Sequence, residues 1–211
     1  MSKKKVVIEL PPRAHLFERG YAIEGESLED IADLVEVDSE EQFLAESVDA
    51  DAIIVSWGID ITREIIAKLD RCLVFGVGSV GTDMIDVEAA TEAGIVVTNV
   101  PDVFIEEVAD HTMMMLLASA RRVIEQDQMA RDGRWSDGWP TLSQIPRLWG
   151  RTLGLISFGN VARAVARRAQ AFGLHVIAFD PYVTELKMTA EGVEPVSMTE
   201  LLERSDYVSM H

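Results

Sequence analysis

The sequence predicts an α/β protein built on parallel sheets, and two features of the chain support this prediction. Short apolar runs of strand length, rich in valine and isoleucine, alternate with helical stretches. Strands that are apolar along nearly their whole length indicate a sheet covered by helices on both faces. The alternation breaks at Pro101-Asp102 and restarts after Gly150, so we expect two domains, 1–102 and 103–211. The strand runs are 5–10, 34–38, 52–56, 73–78 and 95–100, then 152–158, 174–180 and 206–211.

The composition excludes several classes of protein. The chain has 211 residues and a formal net charge of −17, which argues against a broad nucleic-acid surface. Clustered arginines such as Arg163 and its neighbours Arg167 and Arg168 are interpreted as charges on an exposed helix face. We expect neither a membrane span, since no apolar stretch reaches about 18 residues, nor a signal peptide, since the first apolar run breaks at Glu9. The lone cysteine, Cys72, is expected to be buried, and the predicted location is cytoplasmic.

Helical segments separate the strand runs of the first half. We expect helices over 27–34 and 62–70, and a third that begins at Asp83 or Asp86.

The segment between the two alternating halves has its own character. Asp102 is a predicted N-cap for a long helix over 103–122, which is apolar on most faces and should be buried on more than one side. Residues 133–150 predict an irregular arm whose three tryptophans dock onto a surface. That surface could belong to the same domain or to another subunit.

A dinucleotide-binding fingerprint begins in the strand at 152–158. The pattern G-x-G-x-x-G/A is present as Ser157-x-Gly159-x-x-Ala162. Gly159 stands where the backbone must approach a pyrophosphate closely, and the amides of Asn160 and Val161 would donate to it from the start of a helix. Ser157 departs from the pattern because it stands at the position of the first glycine. Its Cβ could strain the turn, although its hydroxyl could also bind a phosphate.

Asp180 completes the fingerprint at the end of the next strand. A carboxylate at this spacing binds the adenosine ribose hydroxyls and repels a 2′-phosphate, so NAD is favoured over NADP. The alternative is that Asp180 caps the turn at Pro181 in a domain that binds no nucleotide.

These residues carry a resemblance to a known family. The run TLGLISFGNVARAVARRAQAFGLHVIAFDPY (152–182) resembles the cofactor fingerprint of the D-isomer-specific 2-hydroxyacid dehydrogenases. Residues 79–117 are similar to the same family's substrate loop and interdomain helix. Within the family, 100–112 and 178–182 look closest to phosphoglycerate-dehydrogenase-like proteins and C-terminal-binding-protein corepressors. The resemblance implies a flavodoxin-like substrate domain followed by an incomplete Rossmann domain. Separately, we expect a homodimer formed through 103–150.

The resemblance also implies substrate-binding residues. Val80 and Gly81 match the loop whose backbone amides hold the substrate carboxylate, and Ser56 and Trp57 match positions that line the substrate cleft. The residues themselves agree for Gly81, because exposed N–H groups after a strand end form an anion site. A tight turn leading into the following helix is the alternative.

On the cofactor side, Val108 matches a position beside the nicotinamide half, and His211 matches one beneath the adenine side. The family's catalytic Arg, Glu and His match no residue of this sequence, whose four histidines do not substitute for them. No catalytic residue or metal ligand is therefore assigned.

Two hypotheses for function follow. In the first, the complete enzyme transfers a hydride between NAD(H) and C2 of a small 2-hydroxy or 2-oxo acid, and the 211-residue chain alone is inactive. In the second, the chain is a non-catalytic NAD-sensing interaction module of the corepressor type.

Overall fold

The computed structural model describes residues 3–9, 22–56 and 58–211. The chain divides into two compact units, Met1–Val103 and Phe104–His211. Each unit contains its own parallel sheet. Within the described ranges, no helix is long and apolar enough to cross a membrane.

The first unit is a five-stranded parallel sheet with helices between the strands. Its elements are β1 Lys4–Glu9, α1 Ala22–Leu28, β2 Ala32–Val37, α2 Glu40–Ser47, β3 Ala52–Val55, α3 Arg63–Ile66, β4 Val74–Val77, α4 Val87–Glu92 and β5 Val96–Thr98. The strand order is β2-β1-β3-β4-β5, which is the flavodoxin-like order of a doubly wound sheet. The predicted fold class of this half is confirmed.

The core of the first unit lies on the three central strands. Ile8, Ile53 and Phe75, one from each of β1, β3 and β4, have no exposed surface. Cys72, just before β4, is a buried free thiol whose pKa is raised by desolvation. The helix α4 begins at Asp86, one of the two predicted positions, because the Asp86 carboxylate accepts a hydrogen bond from the Ala89 N–H at 2.8 Å.

Two predicted helices of this unit are wrong in extent. The helix expected over 27–34 shares only Ser27 and Leu28 with α1. The chain instead forms β2, which pairs with β1 from Ala32 opposite Lys4 to Val37 opposite Glu9. Sheet pairing therefore overrides the local helical pattern. The helix expected over 62–70 is limited to the single turn of α3.

The second unit has a four-stranded parallel sheet. Its elements are α5 Ile105–Ala120, α6 Val123–Arg131, a 3₁₀ turn at Trp135–Asp137, α7 Gly138–Gln144, β6 Thr152–Ile156, α8 Asn160–Ala171, β7 His175–Phe179, α9 Glu185–Ala190, β8 Glu194–Pro195, α10 Met198–Arg204 and β9 Tyr207–Met210. The order is β8-β7-β6-β9. Counted along the chain this is 3-2-1-4, the order in which a Rossmann sheet begins. The predicted fold class of this half is also confirmed.

The long helix α5 starts later than predicted. Asp102 is not its N-cap, because the chain passes through a left-handed residue, Phe104 at φ +65°, immediately before the helix. Within its own unit, α5 buries one face against α8, through Ala109 and Met113. Its opposite face, including Val108, is about half exposed, so burial on more than one side is not seen within this unit.

The predicted irregular arm is partly helical, since it contains the 3₁₀ turn and α7. Trp149 packs against its own unit: a Cβ added to Gly173 would lie 2.1 Å from the Trp149 ring. Trp135 and Trp139 remain about two-thirds exposed.

Candidate functional site

The fingerprint turn lies at the carboxyl end of β6, where the sheet changes direction. From β6 the chain builds outward through β7 to β8, then returns to place β9 on the other side of β6. Ile156 at the end of β6 pairs with Met210 at the end of β9, so the two strands end together. In open parallel sheets, ligands bind in the crevice outside such a switch point.

Gly159 is the residue of this turn whose identity the folded chain does not explain. Its φ is −76°, which any residue can adopt. No atom of the described residues lies within 4 Å of the position that a Cβ would occupy. By contrast, a Cβ on Gly154 in β6 would lie 2.2 Å from the Ser205 Oγ. Packing therefore requires Gly154, whereas Gly159 keeps open a space that a group from outside the chain fits.

The open space faces the start of α8. The first-turn N–H groups of a helix have no carbonyl partner within the helix, and the helix dipole adds positive potential there. Asn160 and Val161 belong to this first turn, and Ala162 is fully buried against the sheet, as the fingerprint requires. The start of α8 thus has the donors and the charge that suit a pyrophosphate.

Ser157 occupies a position that favours glycine. Its φ is +78°, in the left-handed region, and its N–H donates to the Phe179 carbonyl oxygen at 2.8 Å. This hydrogen bond joins the end of β6 to the end of β7. The strained turn expected from the missing glycine is present in the structure.

The Asp180 carboxylate lies beside the fingerprint turn. Its Oδ2 accepts a hydrogen bond from the Phe158 N–H at 2.7 Å, and its Oδ1 accepts from the Tyr182 N–H at 2.8 Å and the Val183 N–H at 3.1 Å. Desolvation raises the pKa of Asp180, but these donors and the Ser157 hydroxyl lower it by more, so the pKa lies below its ordinary value. Asp180 therefore does cap the turn at Pro181, and it also stands at the position expected of a ribose-binding carboxylate.

His211 lies at the same edge of the sheet. Its backbone N–H donates to the Ile156 carbonyl oxygen at 3.1 Å, directly before Ser157. Its ring Nε2 is 3.1 Å from the Ser209 Oγ, and burial lowers the pKa of the imidazole. Val108 lies elsewhere in this unit, on α5, half exposed.

In the first unit, the loop with Val80 and Gly81 is held by its carbonyl groups. Asn99 Nδ2 donates to the Val80 oxygen at 2.7 Å, and Ser79 Oγ donates to the Gly81 oxygen at 2.8 Å. No hydrogen bond from the Val80 or Gly81 N–H is found within the described part of the chain. Two exposed amides on a braced loop suit a carboxylate ligand. Ser56 directly follows β3, and Trp57 lies outside the described residues.

Arg163 is the residue near this turn that sequence reasoning missed. Its Nη2 donates to the Asn160 Oδ1, and its Nε donates to the Gly159 carbonyl oxygen at 3.4 Å. Its position four residues after Gly159 places it on the same helix face, but the sequence does not show which side chains pair with it.

A parallel sheet in the order 3-2-1-4, with a glycine-opened turn at its switch point, defines the class of dinucleotide-binding α/β proteins. Within that class, residues 113–211 match the family model for the D-isomer specific 2-hydroxyacid dehydrogenase, NAD binding domain. This match covers just under half of the chain, and it confirms the resemblance predicted from the sequence.

Relatives and solved structures agree with the family model. D-3-phosphoglycerate dehydrogenase of Methanocaldococcus jannaschii is 38% identical over 82% of this chain and 33% of its own length. Glyoxylate reductase of Korarchaeum cryptofilum is 38% identical over 77% of this chain and 49% of its own length. The chain thus spans about half or less of these relatives.

The structure of D-lactate dehydrogenase from Aquifex aeolicus, complexed with NAD and lactic acid, superposes with a TM-score of 0.85 at 28% identity. The superposition covers 98% of this chain and 60% of that one. None of these three relatives bears a corepressor name, and nothing in residues 3–9, 22–56 and 58–211 favours the corepressor alternative.

Proposed function

We propose that this chain binds NAD and forms the substrate-binding and cofactor-binding part of an NAD-dependent 2-hydroxyacid dehydrogenase. The observation that carries the proposal is Gly159, a glycine that neither the backbone nor the packing requires, directly before a helix N-terminus at a switch point. The reaction is hydride transfer between NAD(H) and C2 of a small 2-hydroxy or 2-oxo acid. When it is bound, the oxidised cofactor would accept the hydride from the 2-hydroxy acid, and the reduced cofactor would donate it to the 2-oxo acid.

The chain's residues divide the task of holding the cofactor. The amides of Asn160 and Val161 bind the pyrophosphate, Asp180 accepts hydrogen bonds from the adenosine ribose, and His211 lies on the adenine side. Val108 contacts the nicotinamide half. Because Asp180 keeps a lowered pKa, it stays ionised near neutral pH, which favours NAD over NADP.

The substrate is held by the first unit. The exposed amides of Val80 and Gly81 bind its carboxylate, and Ser56 lines the cleft around it. The resemblance assigns the same role to Trp57. These groups bind and orient the acid, which brings C2 into a fixed position. No proton-transfer residue is assigned, so we expect no turnover from the 211-residue chain alone with glyoxylate, hydroxypyruvate or pyruvate.

We also propose that the protein forms a homodimer through 103–150. Several large apolar side chains in this segment are exposed, among them Ile124 at 79%, Trp135 at 69% and Trp139 at 65%. Aromatic residues are enriched in the centres of protein interfaces. The cytoplasmic location stays a prediction from the sequence.

Titration calorimetry with NAD tests the cofactor proposal. Gly159→Val should lose detectable NAD binding without loss of fold, because the added carbons enter the pyrophosphate space. The matched control is Gly25→Val, since a Cβ at Gly25 also meets no atom of the described residues within 4 Å. This control should bind like the wild type. A wild type that does not bind NAD, or a Gly159→Val protein that binds it normally, would refute the proposal.

A further inference from the structure

We infer that Arg163 is a ligand of the cofactor pyrophosphate, an inference that rests on the proposed NAD site. The side chain folds back over the start of α8, where Nη2 donates to the Asn160 Oδ1 and Nε to the Gly159 carbonyl oxygen at 3.4 Å. The guanidinium therefore contacts the backbone of Gly159 but stays more than 4 Å from the position that a Gly159 Cβ would occupy, so it does not fill that space.

Among the arginines of residues 150–211, Arg163 differs from the other four in its partners. Each of the other four forms an ion pair: Arg151 with Asp206, Arg167 and Arg168 with Glu106, and Arg204 with Glu194. No carboxylate lies within 4.0 Å of Arg163 among the described residues. In a chain with 36 acidic and 19 basic residues, an arginine without an acidic partner is available to an anion.

The position is electrostatically unfavourable without such an anion. A cation in the first turn of a helix is repelled by the positive end of the helix dipole, which favours cations at the opposite end. A bound pyrophosphate reverses the sign of this interaction, because it neutralises both the helix end and the guanidinium. Asn160 holds the guanidinium in place by its side-chain oxygen.

The guanidinium retains donors for a phosphate. Of its five N–H groups, the contacts above use one on Nη2 and the one on Nε. The remaining N–H groups, on Nη1 and Nη2, can form a bidentate pair with phosphate oxygens. A lysine at this site would retain the charge but lose that fork.

Titrations of NAD, ADP-ribose and NADP into Arg163→Gln test the inference. We expect the affinity for NAD and for ADP-ribose to fall by about tenfold to a hundredfold, as charge-assisted hydrogen bonds are lost. The affinity for NADP should fall by the same factor. Arg163→Lys should recover part of the loss. The matched control is Arg167→Gln, one helical turn further along α8, where the same charge is removed and binding should stay at the wild-type value.

Two outcomes would overturn this inference alone. One is wild-type NAD affinity in Arg163→Gln while Gly159→Val abolishes binding, which leaves the proposed function intact. The other is a loss confined to NADP, which would assign Arg163 to a 2′-phosphate. If the wild type itself fails to bind NAD, the proposed function and this inference both fail. A structural role for Arg163 would show as a lower melting temperature of ligand-free Arg163→Gln, whereas we expect no decrease.

Discussion

At the scale of single residues, Ser157 carries a conformational cost that the rest of the turn must offset. A non-glycine residue in the left-handed region costs about 1–3 kcal/mol, and Ser157 lies there at φ +78°. The turn persists because the Ser157 N–H binds the Phe179 carbonyl and its hydroxyl interacts with Asp180. Serine at this position therefore adds backbone strain to the turn but also contributes a side-chain hydrogen bond to Asp180.

Replacing Ser157 separates these two effects. We expect Ser157→Gly to raise the free energy of unfolding by up to about 1 kcal/mol, because glycine adopts the left-handed region without strain but loses more entropy on folding. Urea unfolding measures the change. Ser157→Ala is the control, since it removes the hydroxyl while keeping the Cβ, and it should be less stable than Ser157→Gly. The opposite order of the two variants would show that the turn is not strained at this residue.

The residues of the fingerprint turn were predictable from the sequence because each has one dominant requirement. Gly159 must leave space, and Asp180 must end a strand at a fixed distance. The double use of Asp180 could be stated only as alternatives, and the structure shows that its carboxylate also holds the Phe158 N–H. Arg163 could not be chosen from the sequence, because an arginine in the first turn of α8 looks the same whether or not an acid pairs with it.

At the scale of elements, Glu194 joins three of them. This residue of β8 accepts hydrogen bonds from both terminal nitrogens of Arg204, at 2.8 and 2.9 Å, and pairs with His175 Nε2 at 2.9 Å. Arg204 ends α10, and His175 begins β7. The hydrogen bonds of Arg204, followed by that of His175, lower the pKa of Glu194 to about 2.

This lowered pKa predicts acid sensitivity of the second unit. The unfolded chain binds the proton at an ordinary glutamate pKa of about 4.3. The stabilisation is therefore complete above that value and is lost as the pH falls toward about 2. Glu194→Gln should reduce the melting temperature slightly at pH 7. Below pH 4.5, the melting temperature of this variant should fall less steeply than that of the wild type, because the variant has no carboxylate to protonate at this position. Because the group is partly exposed, the effect should be small and should shrink in high salt.

Thermal unfolding from pH 7 to pH 2.5 tests the prediction. Glu191→Gln, at a partly exposed glutamate three residues away, is the control and should follow the wild type. Parallel pH profiles for wild type and Glu194→Gln would contradict the assignment.

Elements were predictable where local pattern and sheet pairing agree. The strands β3, β4 and β6 fall within the predicted apolar runs, because valine and isoleucine favour strands and also fill the core. The helix predicted over 27–34 is wrong because its helical pattern competes with the pairing of β2 on β1, and the sequence does not display that pairing. The predicted start of α5 is wrong because Phe104 adopts a left-handed conformation that its residue type does not predict.

At the scale of the whole molecule, the strand orders of the two sheets determine where the two sets of candidate site residues lie. In the first unit the order brings β1, β3 and β4 to the centre, so the loops after β3 and β4 carry Ser56 and Val80-Gly81. In the second unit β6 and β9 are neighbours, so the fingerprint turn and His211 share one edge. The sequence predicted two α/β domains, but neither order follows from hydrophobic patterns alone. The orders had to come from the resemblance.

The exposed apolar surface of 103–150 bears on whether the protein forms a dimer. Monomers rarely expose large contiguous apolar patches, and α6 together with the turn after it presents Ile124 at 79% and Trp135 at 69% exposure. Burying such side chains contributes about 25 cal/mol per Å² of apolar area. We therefore expect the wild type to be a dimer at micromolar concentration in analytical ultracentrifugation.

The variant Ile124→Ser combined with Trp135→Ser should shift the protein to monomer without changing its far-ultraviolet circular dichroism, because neither side chain is buried in its own unit. Leu186→Ser is the matched control: Leu186 is 78% exposed on α9, outside 103–150, so its loss should leave the dimer intact. A monomeric wild type would contradict the dimer itself. A dimer that survives the double substitution would instead place the contact on another surface, since two large anchors at the centre of an interface normally carry much of its binding energy.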